Sequence, residues 1–207
     1  MSGRAFILSP APCALRSAPC ALRSEPCAPD NYGLLTIHRP SNVDEKAVLV
    51  SITDFLINEA TKHLNIIWPI HPRTLKQLQV FGLLNKIKTS DNLVLLHPLT
   101  YLDMLRLNMG AKVILTDSGG LQEECTILGT PCLTLRLNTE RPVTLQENGG
   151  ASILVGNNID RIREEFYTAL KRPREPIRPE YWDGHTAERC LQAILEYSDE
   201  RVAFSSG

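Results

Sequence analysis

The residue pattern best suited to chemistry is Val113–Glu124, where an apolar run passes into Ser118-Gly119-Gly120 and then into a helical pattern. Two glycines let a backbone approach a ligand closely, and the free amides of a helix N-terminus favour a phosphate. Ser118 adds a hydroxyl donor. Glu124 follows one turn later, where its carboxylate can accept hydrogen bonds from ribose hydroxyls.

A purely structural explanation of this segment stays open. The glycine pair permits a tight turn, and the glutamates that follow favour the first turns of a helix. The pattern is neither G-x-G-x-x-G nor a P-loop, so it indicates neither NAD nor a kinase-type nucleotide.

Two arginines, Arg136 and Arg141, follow the next apolar run. If this run is a strand of the same parallel sheet, its carboxyl end opens beside the Ser-Gly-Gly turn, and the arginines can neutralise a diphosphate. The alternative is a solvated surface network with Glu123 and Glu140, since exposed ion pairs are common and contribute little.

Histidine and arginine also follow the first two apolar runs of the chain. Thr36–Pro40 contains His38 and Arg39, and Pro69–Arg73 contains His71. A lone histidine is usually structural, but two in equivalent positions indicate a shared site. Because histidine titrates near pH 6.5, a nearby phosphate can keep it protonated and donating.

The elements that must position these residues alternate between strands and helices. Short apolar runs predict strands at 33–37, 65–70, 93–96, 112–116, 132–135 and 152–155. Helical spacing predicts helices at 44–63, 75–80, 101–109, 119–128, 160–171 and 186–197. Asn42 or Asp44 is expected to cap the first helix. The alternation predicts an α/β fold with a doubly wound, Rossmann-like parallel sheet, which binds ligands at the carboxyl ends of its strands.

Composition narrows the classes of function. The formal net charge is -1, so no overall field draws the chain to nucleic acid or to an acidic membrane. No apolar run approaches the roughly 18 residues of a membrane span, and no signal peptide is recognised, so we expect a cytoplasmic protein. No cysteine or histidine spacing suits zinc, and we expect neither metal nor cofactor. We predict buried core thiols at Cys125, Cys132 and Cys190.

The opening segment differs from the rest of the chain. Ala-Pro-Cys-Ala-Leu-Arg-Ser occurs twice between residues 11 and 24, and a proline in every seven residues excludes a stable helix. We expect a disordered leader over 1–31, the ligand-binding domain over 32–200 and a short tail over 201–207. A cysteine-rich metal-binding tail is the alternative for the leader.

In order and spacing, the polar segments resemble the bacterial non-hydrolysing UDP-N-acetylglucosamine 2-epimerases. The resemblance runs from about Tyr32 to about Ala193, and its most specific part is Asp-Ser-Gly-Gly-x-Gln-Glu-Glu followed by Asn-Thr-Glu-Arg-Pro. The segments that carry it are His38–Asp44, His71–Thr74, Pro98–Asp103, Asp117–Glu124, Leu128–Leu133 and Asn138–Pro142.

The resemblance implies the second, UDP-holding domain of a GT-B arrangement, in which two Rossmann-like domains face each other across a cleft. By analogy Glu124 holds the ribose, and the uracil lies near Leu102–Leu105, which includes Met104. The implied contacts to the diphosphate and the rest of the substrate are Ser118, Gly119, Gly120, Arg141, His38 and His71, supported by Arg39 and Arg136.

The family reaction eliminates UDP in an anti sense to give a glucal, then re-adds UDP with the proton delivered to the opposite face of C2. The resemblance places His38 and the other leaving-group contacts in this chain. The proton-transfer carboxylates belong to the family's first domain, and no counterpart precedes Gly33. We therefore expect the isolated chain to bind UDP-N-acetylglucosamine or UDP without turnover.

Three other hypotheses stay open: an epimerase whose other half is encoded separately, a non-catalytic UDP-sugar-binding module, and a glycosyltransferase-like domain. Members of the family are often homodimers. The sequence departs from the family pattern at His97, where glutamate is usual, at Met104, where phenylalanine is usual, and at Leu137, where an acidic residue is usual.

Overall fold

Parallel strands form one sheet in the computed structural model of the chain, which describes residues 31–205. Across the described sheet the strand order is β3-β2-β1-β4-β5-β6, and all neighbouring pairs are parallel. The predicted doubly wound α/β fold is confirmed. The strands are β1 Tyr32–Thr36, β2 Asn65–Pro69, β3 Leu93–Leu96, β4 Val113–Thr116, β5 Cys132–Thr134 and β6 Ser152–Leu154.

Helices connect the first five strands and follow the last one. In chain order they are α1 Pro40–Val43, α2 Lys46–Asn58, α3 Pro72–Val80, α4 Leu84–Lys88, α5 Tyr101–Gly110, α6 Gly119–Leu128, α7 Ile159–Ala169 and α8 Thr186–Ser205. Among the helices of residues 31–205, none combines the length and apolarity needed to cross a membrane. The predicted leader, residues 1–31, lies outside the described residues except for Asn31.

Alternation along the strands divides the core into two layers. Leu35 packs on one face of the sheet with side chains of α2, α3, α4 and α7, while its neighbour Leu34 packs on the other face with side chains of α5 and α6. On the first face Phe55 and Phe166 meet edge-on with ring centroids 5.4 Å apart. Burial of each such ring contributes about 1.5–3 kcal/mol. Strands buried on both faces explain the continuous apolar runs of the sequence.

Residues 172–177, here called the strap, return to the α5 and α6 side of the sheet. The amides of Glu175 and Ile177 donate to the carbonyls of Gly129 and Thr126 over 3.3 and 3.0 Å. Gly129 ends α6 in the left-handed region with φ of 70°. A Cβ at this position would lie 2.4 Å from the backbone nitrogen of Pro176, so glycine is required for two reasons.

Residues 178–207 form a separate compact unit, whose described part contains α8. The Arg189 guanidinium pairs with Asp183 at 2.8 Å and lies 5.2 Å from the centre of the Tyr181 ring. Cys190 is exposed on this helix, so the prediction of a buried thiol there is wrong. The residues at helical spacing around Cys190 are apolar, which favoured a buried thiol, but Leu191 and Ile194 are exposed as well. The predictions for Cys125 and Cys132 are confirmed, since both are buried.

The predicted cap of the first long helix is also wrong. Glu45 occupies the N-cap position of α2 and makes no side-chain cap bond. The Asn42 amide donates instead to the Asp117 carboxylate and to the Leu135 carbonyl, and Asp44 pairs with Arg73. The side chains of Asn42 and Asp44 therefore bond to residues distant in sequence and do not cap α2.

Candidate functional site

A cleft of about 310 Å³ opens at the carboxyl ends of β1, β2 and β4. The strand order reverses between β1 and β4, where doubly wound sheets bind ligands. The cleft is lined by six of the residues selected from the sequence: His38, His71, Met104, Ser118, Gly120 and Glu124. These come from four separate stretches of chain, each of which follows a strand or begins a helix.

Four other selected residues lie beside the cleft and do not line it. Gly119 is buried under the Arg141 guanidinium, because a Cβ built on Gly119 would be 2.2 Å from Arg141 Nη1. Arg39 donates through Nε to the backbone carbonyl of Asp117 over 3.2 Å. Arg136 has a largely buried side chain that pairs with Glu140 at 2.6 Å.

The buried carboxylate of Asp117 joins the β1 and β4 ends of the cleft. One of its oxygens, Oδ2, accepts hydrogen bonds from the backbone amides of His38 and Arg39 over 2.9 and 2.8 Å, and from the Asn42 amide over 3.0 Å. The side chain is fully buried. Three donors on one acceptor fix the loop after β1 against the start of α6.

Asp117 also orients the imidazole of His38. The Nδ1 atom of His38 lies 2.9 Å from Asp117 Oδ1, and the imidazole remains 39% exposed, so the ring presents its other nitrogen to the cleft. Burial alone would raise the pKa of the Asp117 carboxyl, but the hydrogen bonds from His38, Arg39 and Asn42 outweigh it and lower the pKa. The carboxylate is thus the ionised anchor of this wall.

The second histidine belongs to the same wall. The rings of His38 and His71 lie 5.3 Å apart between centroids. His71 is the N-cap of α3, and its Nδ1 accepts the Arg73 amide over 3.1 Å. Two histidines on neighbouring strand ends therefore meet at the cleft, as their equivalent positions in the sequence indicated.

The N-terminus of α6 forms the floor beside these histidines. Ser118 is the N-cap residue and makes no side-chain cap bond, so its hydroxyl is not used to hold the helix. A Cβ on Gly120 would meet no atom within 4 Å, which leaves this first turn open. Free amides and the helix dipole make this position suitable for an anion.

Ion pairs surround Arg141 at the edge of the floor. Arg141 Nε lies 2.8 Å from Glu123 Oε1, and its Nη1 contacts Glu140, which also pairs with Arg136. The Arg136 side chain is the main cause that lowers the pKa of Glu140 to about 2. Of the two hypotheses for the arginines, the ion-pair network is present, and it holds Arg141 beside the first turn of α6.

Glu124 forms the opposite end of the floor, one turn into α6. Burial raises the pKa of its carboxyl, and a hydrogen bond from Asn108 opposes this effect. The Asn108 Nδ2 atom lies 3.4 Å from Glu124 Oε2. A half-buried carboxylate at this position can accept hydrogen bonds from ligand hydroxyl groups.

Apolar side chains form the remaining wall of the cleft. Leu99 and Met104 pack against the core layer beneath α5 and also line the cleft, and Tyr101 lines the cleft but is 65% exposed. Thr100 caps α5 by accepting the Asp103 amide over 3.3 Å. The cleft thus combines an anion-binding floor, a hydroxyl acceptor and an apolar wall, a combination suited to a nucleotide.

Sequence reasoning missed two residues that organise the site. Asp117 stands directly before Ser118, and a charged residue just after the apolar run Val113–Leu115 and Thr116 is a signal of a buried anchor. Gln122 is buried, and its side-chain carbonyl accepts hydrogen bonds from Thr139 and Thr144 over 2.9 and 3.2 Å. It therefore ties the arginine segment to α6.

Comparison with known proteins identifies relatives of this arrangement. The sequence model described as UDP-N-acetylglucosamine 2-epimerase matches residues 14–195. The UDP-N-acetylglucosamine 2-epimerase of Methanocaldococcus jannaschii is 44% identical over 170 residues, which are 81% of this chain and 45% of the relative. The UDP-2,3-diacetamido-2,3-dideoxy-D-glucuronate 2-epimerase of Pseudomonas aeruginosa is 33% identical over 169 residues, 81% of this chain and 45% of that protein.

A solved structure shows the same similarity in three dimensions. The Methanocaldococcus jannaschii enzyme in complex with UDP-GlcNAc and UDP aligns with a TM-score of 0.72 at 40% sequence identity. The alignment covers 88% of this chain and 51% of that one. The chain therefore spans about half the length of the relatives that it matches.

Proposed function

The chain belongs to the UDP-N-acetylglucosamine 2-epimerase family, and we propose that its cleft binds the UDP group of a UDP-sugar. The observation that carries this proposal is the position of α6. Its open N-terminus lies where the strand order reverses, with His38 on one side of the cleft and Glu124 on the other.

The diphosphate is proposed to lie on the first turn of α6. The amides of Gly119 and Gly120 and the Ser118 hydroxyl donate to its oxygens, and the helix dipole favours its charge. His38, held by Asp117, donates from the β1 side, and Arg141 approaches from above Gly119. Arg39 and Arg136 add positive charge nearby and do not line the cleft.

The nucleoside is proposed to extend from the floor to the apolar wall. Glu124 accepts hydrogen bonds from the ribose hydroxyls, because its carboxylate is half-buried and lies one turn beyond the phosphate position. The uracil packs against Met104 and the segment around it. His71 faces the same space and is proposed to contact the substrate beside His38.

These contacts suit a reaction in which UDP departs and returns. Loss of UDP from C1 of a UDP-sugar places negative charge on the departing phosphate, and one well-placed donor to developing charge is worth about 3–4 kcal/mol. We propose that His38, Ser118 and Arg141 supply this stabilisation during 2-epimerisation. Proton transfer at C2 is assigned to a domain that corresponds to the unmatched half of the relatives.

The sugar is proposed to be N-acetylglucosamine. The Methanocaldococcus jannaschii relative, at 44% identity, is named for that sugar, while a relative at 33% identity is named for a diacetamido glucuronate. Both names contain UDP and a 2-epimerase activity, and they differ in the sugar. The UDP part of the proposal is therefore common to both relatives, whereas the identity of the sugar follows the more similar one. We also propose that the protein is cytoplasmic and that it self-associates. Cell fractionation tests the location, and sedimentation tests the self-association.

Isothermal calorimetry of the 207-residue chain with UDP tests the site. We expect Ser118→Ala combined with Arg141→Ala to weaken binding by about a hundredfold, since a neutral and a charge-assisted hydrogen bond are lost. Arg163→Ala is the matched control, because Arg163 also pairs with two carboxylates, Glu59 and Asp160, but lies on α7. Unchanged affinity in the double variant rejects the site.

Turnover is measured separately by NMR with UDP-N-acetylglucosamine. We expect the 207-residue chain alone to bind this compound and not to convert it. Conversion by the purified chain would show that it contains its own acid and base for C2. Failure to bind either UDP or the UDP-sugar would reject the proposed function as a whole.

A further inference from the structure

Asn108 is a buried polar residue behind the cleft, in the last turns of α5. Its polar side chain is fully buried, and Leu107 and Ala111, which lie close to it in sequence, belong to the apolar core layer. Burial of an amide costs free energy unless its hydrogen bonds are satisfied.

The Asn108 amide connects two residues of α6. Its Nδ2 lies 3.4 Å from the Glu124 carboxylate, and its Oδ1 accepts from the Cys125 thiol over 3.8 Å. This arrangement fixes the orientation of the amide. The opposite orientation would place Oδ1 against a carboxylate that has no proton to donate, and Nδ2 against the thiol.

The backbone of Asn108 does not explain the choice of side chain. Its carbonyl accepts from the Thr130 hydroxyl over 3.2 Å and from Arg174 over 3.4 Å, and any residue type supplies that carbonyl. A leucine, which has the same branching and number of heavy atoms, would avoid the cost of burying an amide. What only the amide supplies is a donor to Glu124.

We propose that Asn108 is a positioning residue that holds the Glu124 carboxylate toward the ribose and so sets the preference for ribonucleotides over 2′-deoxyribonucleotides. The inference rests on the proposed function, in which Glu124 accepts the ribose hydroxyls. A donor on one oxygen fixes the rotamer of the carboxylate and leaves its remaining lone pairs for the ligand. It also favours the ionised form of a carboxyl whose burial opposes ionisation.

The test compares the affinity of the full chain for UDP with its affinity for 2′-deoxyuridine diphosphate. We expect the unmodified chain to prefer UDP on the order of tenfold, which is the effect of one hydrogen bond to a charged group. Asn108→Leu and the smaller Asn108→Ser should reduce this ratio to about two or below, with little change in affinity for the deoxy compound. Two variants are used so that one packing defect does not decide the result.

Thr130→Val is the matched control, because it removes a buried hydrogen bond to the Asn108 carbonyl and leaves the amide in place. We expect it to lower stability and to keep the tenfold ratio. If Glu124→Gln removes the preference while both Asn108 variants retain it, the inference is wrong. If Glu124→Gln itself leaves the preference unchanged, the ribose assignment of the proposed function fails.

Discussion

The two ends of the cleft are built in different ways. The side proposed to bind the diphosphate, here called the phosphate side, is formed by His38, Asp117 and the start of α6, and hydrogen bonds between residues about 80 positions apart in sequence hold it. The side proposed to bind the base, here called the base side, contains Leu99 and Met104, which rest on apolar packing, and its cap bond at Thr100 is local.

This difference shows that the long-range polar contacts of the cleft are concentrated on the phosphate side. A diphosphate needs donors fixed in direction before it arrives, since reorganising them would reduce the binding free energy. A flat base needs only an apolar surface of suitable width, and a flexible methionine can adapt to it. The phosphate side should therefore be sensitive to small changes, and the base side should be tolerant.

The largest expected effect comes from Asp117→Ala. This change leaves the amides of His38, Arg39 and Asn42 without their acceptor in a buried position, and should lower the free energy of unfolding by about 3–5 kcal/mol. Urea denaturation measures the loss. Asp160→Ala, at an exposed carboxylate on α7, should change stability by less than about 0.5 kcal/mol. A loss below about 1 kcal/mol for Asp117→Ala would remove the contrast between the two sides.

The next effect separates two adjacent glycines. A Cβ on Gly119 would lie 2.2 Å from Arg141 Nη1, whereas a Cβ on Gly120 would meet no atom within 4 Å. Gly119→Ala should therefore displace the guanidinium and weaken UDP binding about tenfold, near 1.4 kcal/mol, with the fold intact. Gly120→Ala should weaken it by no more than about threefold. Calorimetry on both variants decides, and equal losses would contradict a specific role for Arg141.

A smaller effect is expected in the pH dependence of stability. The pKa of Asp117 is lowered in the folded protein, so the unfolded chain binds more protons once the pH falls to the ordinary aspartate value of 3.8. The stabilisation is present above that value and is lost as the pH falls through the lower, folded pKa. Asp117→Asn should therefore lose less stability than the unmodified chain between pH 5 and pH 3. Parallel urea curves for the two proteins check this, and identical slopes would refute it.

The smallest effect is expected on the base side. Met104→Ala should weaken UDP binding about threefold, near 0.6 kcal/mol, because only apolar contact with the base is lost. Met109→Ala, on the same helix but outside the cleft and 57% exposed, should leave binding unchanged. A loss greater than about thirtyfold for Met104→Ala would show that the base side is as sensitive as the phosphate side.

The sequence predicts the elements well and their polar contacts less well. Strands such as 93–96 and 112–116 are found almost as predicted, because apolar runs of that length between turn residues are typical of buried strands. The short α4 was missed, since five residues give too little periodicity for detection. Of the residues that line the cleft, His38, His71, Ser118 and Gly120 were selected because they follow a strand or begin a helix, whereas Met104 was selected through the family resemblance.

What local pattern does not contain is the partner of a polar side chain. Asn42 suits a helix cap equally well in isolation, and only the folded sheet brings the Asp117 carboxylate beside it. Likewise the pairing of Arg141 with Glu123 was one of two open hypotheses, because it depends on how β4 and β5 lie beside each other in the sheet. Contacts across 18 to 80 positions are settled by topology.

The strap has a consequence for any attempt to shorten the protein. Arg174 donates to the carbonyls of Ala111 and Asn108, and Glu175 donates to that of Gly129. A fragment that stops at Lys171 would lose these donors at the ends of α5 and α6, and the Asn108 carbonyl would keep only the Thr130 hydroxyl and the Ala111 amide. We therefore expect a fragment that ends at Ile177 to be more stable than one that ends at Lys171.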